Sequence, residues 1–387
     1  MDVVSIGPIE ADPQRVRDAF QAVADRLAGS KLGFLFAPHD AELAALLSAA
    51  RDGLGDRIVG ATTGGAAFTD RGFTRTGVVG GVFGGADFHF GIAAARGVSA
   101  KDTSAMERAC AELVAASRRS VARMPALIAL GDGRSVDGVV LTDTLSRHMP
   151  PHWRIFGGMA GDSLVFESCS RVFLDDEVLD DAVVLVGMFS NKPCGLAVGH
   201  GWSAAPGARE LVVTGITGHN LETLDGRPAS EVYGEELRRL GLISDATRLV
   251  PDAQRYSFGA KTRFGELTIR APLEFLQGGQ IRLAGSVTPG TVLQVVSTTA
   301  ERLAESAASV GARSFVDFAD GRTPRGGLVF DCAARLAYLG DDYAAQISGF
   351  SGGRVFPLIG TTSYGEIAKF GGSLEGFHNA TTVMAAW

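Results

Sequence analysis

Three stretches decide how this chain folds: Arg57-Ile58-Val59-Gly60, Arg154-Ile155-Phe156-Gly157 and Arg354-Val355-Phe356-Pro357-Leu358-Ile359-Gly360. Each begins with arginine, ends in glycine and closes the same succession of helix, apolar strand, helix and short strand. The chain therefore reads as one unit used three times. In the first unit Val16, Phe20, Val23 and Leu27 mark a helix face behind Asp12-Pro13, a cap followed by proline at the first helical position. Strand 32–36 and a helix through Leu43, Leu46 and Leu47 follow. The second unit opens at Ser104, whose spacing to Glu107 is that of a capping box. Its helix carries Met106, Cys110, Leu113 and Ser117, ahead of strand 126–130 and helix 139–145. The third opens with the same spacing, Thr298 to Glu301, and continues through strand 328–330 and a helix with Leu336, Leu339, Tyr343 and Ile347.

Each strand–helix–strand step is long enough for a crossover and too long for a hairpin, which predicts pairs of parallel strands covered by helices. Between the units the pattern changes to period two. Residues 74–83 against 88–95, 171–174 against 183–188, and 211–214 after the Gly199–Gly201 turn read as antiparallel hairpins. The expected fold is mixed α/β (α+β), repeated units with parallel strand pairs plus antiparallel hairpins. Asp225-Gly226-Arg227-Pro228 is a turn signal followed by a helix. It divides the chain into residues 1–226, with two units, and 227–387, with the third. No low-complexity linker separates them, so the halves are expected to share an interface.

Composition narrows the function. Across 387 residues, 46% hydrophobic and 20% charged is a globular balance. The 51 glycines follow no period and fit a strand-rich chain with many tight turns. A net charge of −7 without a basic stripe excludes a nucleic-acid partner; Arg118-Arg119 sits on a helix that reads as amphipathic. The acidic run 175–181 lacks calcium-loop spacing and reads as a solvated hairpin tip. The start of the chain has no basic and apolar leader, and no stretch is long and apolar enough to span a membrane. Cys110, Cys169, Cys194 and Cys332 form no C-x-x-C pair, which points to a reduced, cytoplasmic protein.

Chemistry is expected at three glycine turns: Gly60-Ala61-Thr62-Thr63-Gly64-Gly65, Gly157-Gly158-Met159-Ala160-Gly161-Asp162 and Gly360-Thr361-Thr362-Ser363-Tyr364-Gly365-Glu366. Glycine at the carboxyl end of a parallel strand exposes backbone N–H groups where α/β sheets bind ligands. None of the turns is a nucleotide loop. The expected small-ligand pocket is lined by Thr62, Thr63, Arg335, Ser363, Tyr364, Glu366, His378 and Asn379. Arg335 suits a carboxylate and Glu366 an amino group, or the two form an internal ion pair. His378 and Asn379 either bind ligand or satisfy backbone groups at the last strand. Cys332 is either an inert buried thiol or half of a thiolate–imidazole pair with His378. His148 and His152 are separated by Met149-Pro150-Pro151, so they share no helix face and no zinc site is expected. An axial haem ligand needs only one histidine, and there are seven.

The closing stretch, Pro357 to Ile367 and then His378-Asn379-Ala380-Thr381-Thr382, resembles the end of a FIST C-terminal domain. Asp331-Cys332-Ala333-Ala334-Arg335 resembles the same domain's Cys-x-x-Arg strand exit. Val59 to Gly65 is similar to the family's first glycine turn, and Leu211 to Thr214 with Leu224 to Ala229 and Tyr233 to its domain junction. Ala66-Ala67 stands where the family usually carries Glu-Ile. The resemblance implies FIST N-terminal (1–226) and C-terminal (227–387) domains. It also implies a bacterial sensory role binding small ligands such as amino acids, not an enzyme. One branch is similar to a haem-binding nitric-oxide sensor that regulates a histidine kinase. The sequence carries no kinase, cyclase or helix-turn-helix region, so output is expected to pass to a separate signalling protein, with a histidine kinase as one candidate. Two alternatives stay open: such a haem sensor, and an enzyme using Cys332, Glu366 or His378.

Overall fold

The computed structural model describes the chain except residues 87, 100, 101, 119, 121–124, 167–169, 244–254, 263, 264, 319–322, 355, 372 and 373. Arg119, Cys169 and Val355 lie outside the described residues. The first third of the chain runs β1 (Asp2–Ile9), helix Pro13–Ala24, β2 (Ser30–Ala37), helix Leu43–Leu54, β3 (Arg57–Thr62), β4 (Ala67–Thr69), β5 (Gly72–Thr74) and β6 (Val78–Gly85). The same order follows in β7 (His89–Arg96), helix Ser104–Ser117, β8 (Ala126–Asp132), helix Gly138–His148, β9 (Arg154–Ala160), β10 (Val172–Leu174), β11 (Glu177–Leu179) and β12 (Ala182–Phe189).

After β13 (Gly195–Gly199) a separate sheet intervenes. It contains β14 (Ser203–Ala204), β15 (Leu211–Thr217), β16 (Asn220–Leu224), β17 (Arg227–Pro228), β18 (Phe258–Lys261), β19 (Leu267–Arg270), β20 (Pro272–Phe275), β21 (Ile281–Leu283) and β22 (Val292–Ser297), with helix Ala229–Arg239 on it. The earlier order then resumes with helix Ala300–Ser314, β23 (Gly327–Cys332), helices Ala333–Leu339 and Ala344–Phe350, β24 (Leu358–Ser363), β25 (Glu366–Lys369), β26 (Gly376–His378) and β27 (Thr382–Ala386). The helix expected through Leu336 and Ile347 is broken at Gly340, which takes a left-handed φ of 57°. Among the described residues no helix is long and apolar enough to cross a membrane.

Helix starts follow local hydroxyl and carboxylate chemistry. Asp12 accepts the Arg15 N–H at 2.9 Å and Pro13 leads the helix, which buries Val16, Phe20 and Val23. The two expected boxes shift by one residue. Thr103, not Ser104, precedes the second helix and donates to Glu107 at 2.7 Å, while Ser104 donates to Asp102. Thr299, not Thr298, caps Ala300–Ser314. With hydroxyls or carboxylates on adjacent residues, spacing alone cannot choose the cap.

Three six-stranded sheets share one order: β1-β6-β2-β3-β10-β11, β7-β12-β8-β9-β25-β26 and β13-β27-β23-β24-β4-β5. In each, the central pair is parallel, as the crossover length predicts, with Leu35 opposite Gly60, Ala129 opposite Gly157 and Val329 opposite Gly360. Alternate residues divide the faces. Leu32, Phe34 and Phe36, Ile128 and Leu130, and Leu328 and Phe330 enter one common core, where Phe330 meets Phe36 and Phe156 edge-on or tilted at 6.2 Å. Leu35, Leu127 and Val329 face outward under the helices.

The last two strands of each sheet come from a neighbouring part of the chain. The hairpin after β3 joins β24, that after β9 joins β3, and that after β24 joins β9. This exchange corrects two expected hairpins. β6 lies between β1 and β2, while β7 pairs with β12. β10 turns back on β11, and β12 sits between β7 and β8. Period two assigns faces; it does not name partners. The stretch from Leu211 does pair antiparallel, with β16 and β22. The turn at 225–228 separates β16 from β17 within the nine-stranded sheet, and strands from both sides of it share two of the six-stranded sheets.

The strand glycines are required by contact. A Cβ on Gly60 would lie 1.8 Å from the Leu35 carbonyl oxygen, and one on Gly157 would lie 1.9 Å from that of Ala129. Backbone cannot yield as a side chain can. Gly60→Ala and Gly157→Ala are each expected to lower the stability by about 1–3 kcal/mol, read from the urea midpoint at constant m; an unchanged midpoint would show that neither strand crossing is tight.

Candidate functional site

The three glycine turns meet. Gly64 N–H donates to the Thr362 carbonyl at 2.7 Å, Gly161 N–H to Thr62 at 3.1 Å, and Tyr364 N–H to Met159 at 2.9 Å. Every donor stands four residues beyond its strand glycine and every acceptor two, so the turns close a ring of backbone bonds. The approach is tight enough that a Cβ on Gly161 would lie 2.5 Å from the Gly64 Cα. Thr62 and Thr63 belong to this junction. The Thr62 hydroxyl donates to the Gly161 carbonyl at 2.7 Å, and Thr63 Oγ1 accepts the Gly65 N–H.

Beside the junction, a cavity of about 120 Å³ opens between the three-sheet body and the inserted sheet. Its floor comes from the carboxyl ends of β8, β23 and β24, through Gly133, Cys332, Ser363 and Tyr364, together with Asn379. Ala333, Ala334 and Ala337 form one wall and Ala271, Pro272 and Leu273 another. Phe166 and Leu273, large apolar residues 40% and 48% exposed, stand at its edge, and Phe166 stacks on Tyr364 at 5.2 Å. The loop carrying Phe166 holds Ser163, Leu164 and Phe166 at left-handed φ of 57–64°, a strained conformation of the kind that gathers at ligand sites. Tyr364 fixes it: its hydroxyl donates to Asp162 and accepts the Leu164 N–H.

Of the eight expected site residues, Ser363, Tyr364 and Asn379 reach the cavity wall. Glu366 and His378 lie directly behind it, paired across β25 and β26. Arg335 points elsewhere. Its fully buried guanidinium pairs with Asp331 at 2.8 Å and donates to the His200 and Leu303 carbonyls and to Gln346. The internal ion pair thus exists, with Asp331 in place of Glu366. Asp331 in turn accepts from Tyr343, Gln346 and Thr382. Arg134, the loop at Phe166 and the inserted wall complete the site beyond the eight expected residues. Arg134 follows the strand end Asp132-Gly133, a signal that was available; nothing local marks Ala271 or Leu273.

Burial shifts the ionisable groups around the floor towards their neutral forms. Burial raises the Glu366 carboxyl well above its usual range, against the Ser363 hydrogen bond, and the Asp331 charge adds to the rise. Burial and the neighbouring Glu366 raise the Cys332 thiol as well. Burial, aided by the charges of Arg270 and His200, pushes His378 down to about 3. Among the described residues, His378 Nε2 and Asn379 Oδ1 are buried without a hydrogen-bond partner.

A second contact ties the inserted sheet to the body next to the cavity. His219 Nε2 meets Asp137 at 2.9 Å and Nδ1 meets the Leu283 carbonyl at 3.1 Å, so both ring nitrogens face acceptors. Asp137 also caps helix Gly138–His148. The Asp137 hydrogen bond raises His219 above 6.5 despite its burial. Burial alone would raise Asp137, but the His219 hydrogen bond and charge bring it below 3.8.

Two predictions follow from these pairs. Arg335→Met leaves Asp331 buried without its cation and should lower stability by about 3–5 kcal/mol in chemical denaturation; a smaller loss would show that Tyr343, Gln346 and Thr382 suffice to hold the carboxylate. For His219, whose pKa is raised on folding, the stabilisation is present below 6.5 and is lost as pH rises through the folded value. For Asp137, lowered on folding, it is present above 3.8 and lost on acidification. The contact should therefore be strongest between these limits. Asp137→Asn, which keeps a capping side chain, should flatten the fall in melting temperature between pH 6.5 and 8, and an unaltered profile would assign that fall to other groups.

A model of the FIST N domain matches residues 31–227 and a model of the FIST C domain matches residues 229–369. The join between the two matches lies at the end of β17, inside the inserted sheet. No curated protein matches the chain.

Proposed function

The chain belongs to the FIST family, whose domains are associated with sensory roles in signal transduction, and from that premise we propose that it is an intracellular sensory protein. It binds a small metabolite in the cavity under the inserted sheet and reports to a separate signalling protein, such as a histidine kinase. The observation that carries this reading is a cavity at the carboxyl ends of parallel strands, lined in part by Asn379, whose buried Oδ1 has no hydrogen-bond partner among the described residues; such strand ends are the usual place for ligands of α/β sheets. The site spans both parts of the fold, so occupancy would bear on how the inserted sheet is held, which suits a reporter. Ser363, Tyr364 and Asn379 contact the metabolite directly, with Glu366 and His378 supporting them from behind. Thr62 and Thr63 act through the turn junction.

The ionisation states favour binding over catalysis. Burial biases Cys332 towards its thiol and Glu366 towards its acid, away from the thiolate or carboxylate that a nucleophile or general base needs. Haem does not fit these residues. The cavity of about 120 Å³ is small beside the roughly 300–1,000 Å³ of drug-sized sites, and His378, which adjoins it, is fully enclosed.

A thermal-shift screen of free metabolites should return at least one that raises the melting temperature. Tyr364→Ala, which frees the Phe166 loop, should abolish that rise. Hemin titrated into the same protein should give no stoichiometric Soret species. A sharp band lost in His378→Ala would replace the metabolite reading with a haem one.

A further inference from the structure

The polar atoms of the cavity can be accounted for one by one. The Ser363 hydroxyl donates to Glu366 at 2.9 Å and the Tyr364 hydroxyl to Asp162. Cys332 is hydrogen-bonded to the Ala334 and Ala380 N–H groups and to Glu366. Asn379 is different. Its Nδ2 donates to the His378 carbonyl at 3.1 Å. A carbonyl can only accept, so the amide cannot be flipped, and Oδ1 remains as a buried acceptor with no donor among the described residues. A buried unpaired acceptor is costly to a fold, and a donor brought by a ligand removes that cost.

The chemical nature of that donor follows from its surroundings. Among the described residues no carboxylate lines the cavity: Asp331 is buried behind it and paired with Arg335, and Glu366 is buried behind it, accepting from the Ser363 hydroxyl and the Thr381 N–H. An ammonium group there would lose its water without gaining a counter-charge, and a carboxylate would meet Oδ1 head-on. At the mouth the balance reverses. Arg134 lines the cavity, is exposed, and has no ion-pair partner among the described residues. Between the two ends the walls are alanine, proline and leucine.

Building on the sensory reading above, we infer that the cavity takes a short monoanion whose buried end is an uncharged N–H or O–H donor, not a zwitterion. An amide or hydroxyl head donates to Asn379 Oδ1, a few methylenes lie along the alanine wall, and a carboxylate stays in water beside Arg134. Free amino acids, with an ammonium next to their carboxylate, cannot place both charges at the mouth and a neutral donor at the floor unless their side chain supplies it.

A matched five-carbon series tests this by calorimetry: glutaramate with an amide head, glutarate with a carboxylate head and 5-aminopentanoate with an ammonium head. Glutaramate should bind, and the other two should bind at least tenfold more weakly. Asn379→Leu should weaken glutaramate at least tenfold. Arg134→Ala, an exposed change that spares the fold, should weaken it by about two- to fivefold, as expected for a solvated ion pair, and more so at low salt. Equal affinity for 5-aminopentanoate or glutarate overturns the neutral-donor assignment, as does unchanged affinity in folded Asn379→Leu. A metabolite that scores in the thermal screen while glutaramate does not bind overturns this inference alone and leaves the sensory reading standing. Absence of any hit in that screen removes the reading beneath it.

Discussion

Three backbone hydrogen bonds, from Gly64 to Thr362, Gly161 to Thr62 and Tyr364 to Met159, gather the carboxyl ends of three parallel strand pairs at one point. Much else in the fold depends on that ring. Each donor and each acceptor sits on a different turn, so no one part of the chain can satisfy its own groups. The backbones approach closely enough to require glycine at Gly161 and Gly64, where a Cβ would strike the opposing chain or Ala333. A chain leaving such a turn is already beside its neighbour's sheet, and the following hairpin completes that sheet. The three sheets are thereby interlocked around one aromatic core. Stability is expected to be cooperative across them, since removing one hairpin strips the edge of another sheet.

The cavity forms to one side of this junction because the inserted sheet leaves the body between β13 and helix Ala300–Ser314 and returns over the ends of β8, β23 and β24. Charge is sorted around it. A fully buried pair, Asp331 with Arg335, is turned into the body, where Tyr343, Gln346, Thr382 and two carbonyls complete its hydrogen bonds. A buried pair of this kind adds little net stability and is costly to break, so it fixes β23 against its helix. Among the described residues no carboxylate lines the floor, and the His219–Asp137 contact stands at the seam with the inserted sheet.

Much of the fold was legible in the sequence. Apolar runs ending at Gly60, Gly157 and Gly360, each separated from its partner run by a helix, determine parallel pairs, because a crossover of that length admits no hairpin. The Asp12-Pro13 start and the buried Val16, Phe20 and Val23 are local, and they stand as read, while Leu27 lies beyond the helix end at Ala24. Partner choice was not legible. Residues 74–83 carry the alternation of a hairpin strand, yet β6 pairs with β1 and β2, since alternation constrains which face is apolar and says nothing of which edge is free.

The site divides in the same way. The sequence by itself determined that polar residues gather after the third strand glycine and at the last strand, and Ser363, Tyr364 and Asn379 do meet at one wall. Only the tertiary structure decided that Arg335 serves Asp331, that burial raises the Glu366 carboxyl above its usual range, and that Arg134, Phe166 and Leu273 complete the cavity. Arg335 and Asp331 are only four positions apart, yet their pairing, like the other outcomes, depends on burial and on contacts from distant parts of the chain, such as His200 with Arg335 and Asp162 with Tyr364. Dielectric surroundings and side-chain direction arise from the packing of the whole chain, and no local spacing encodes them.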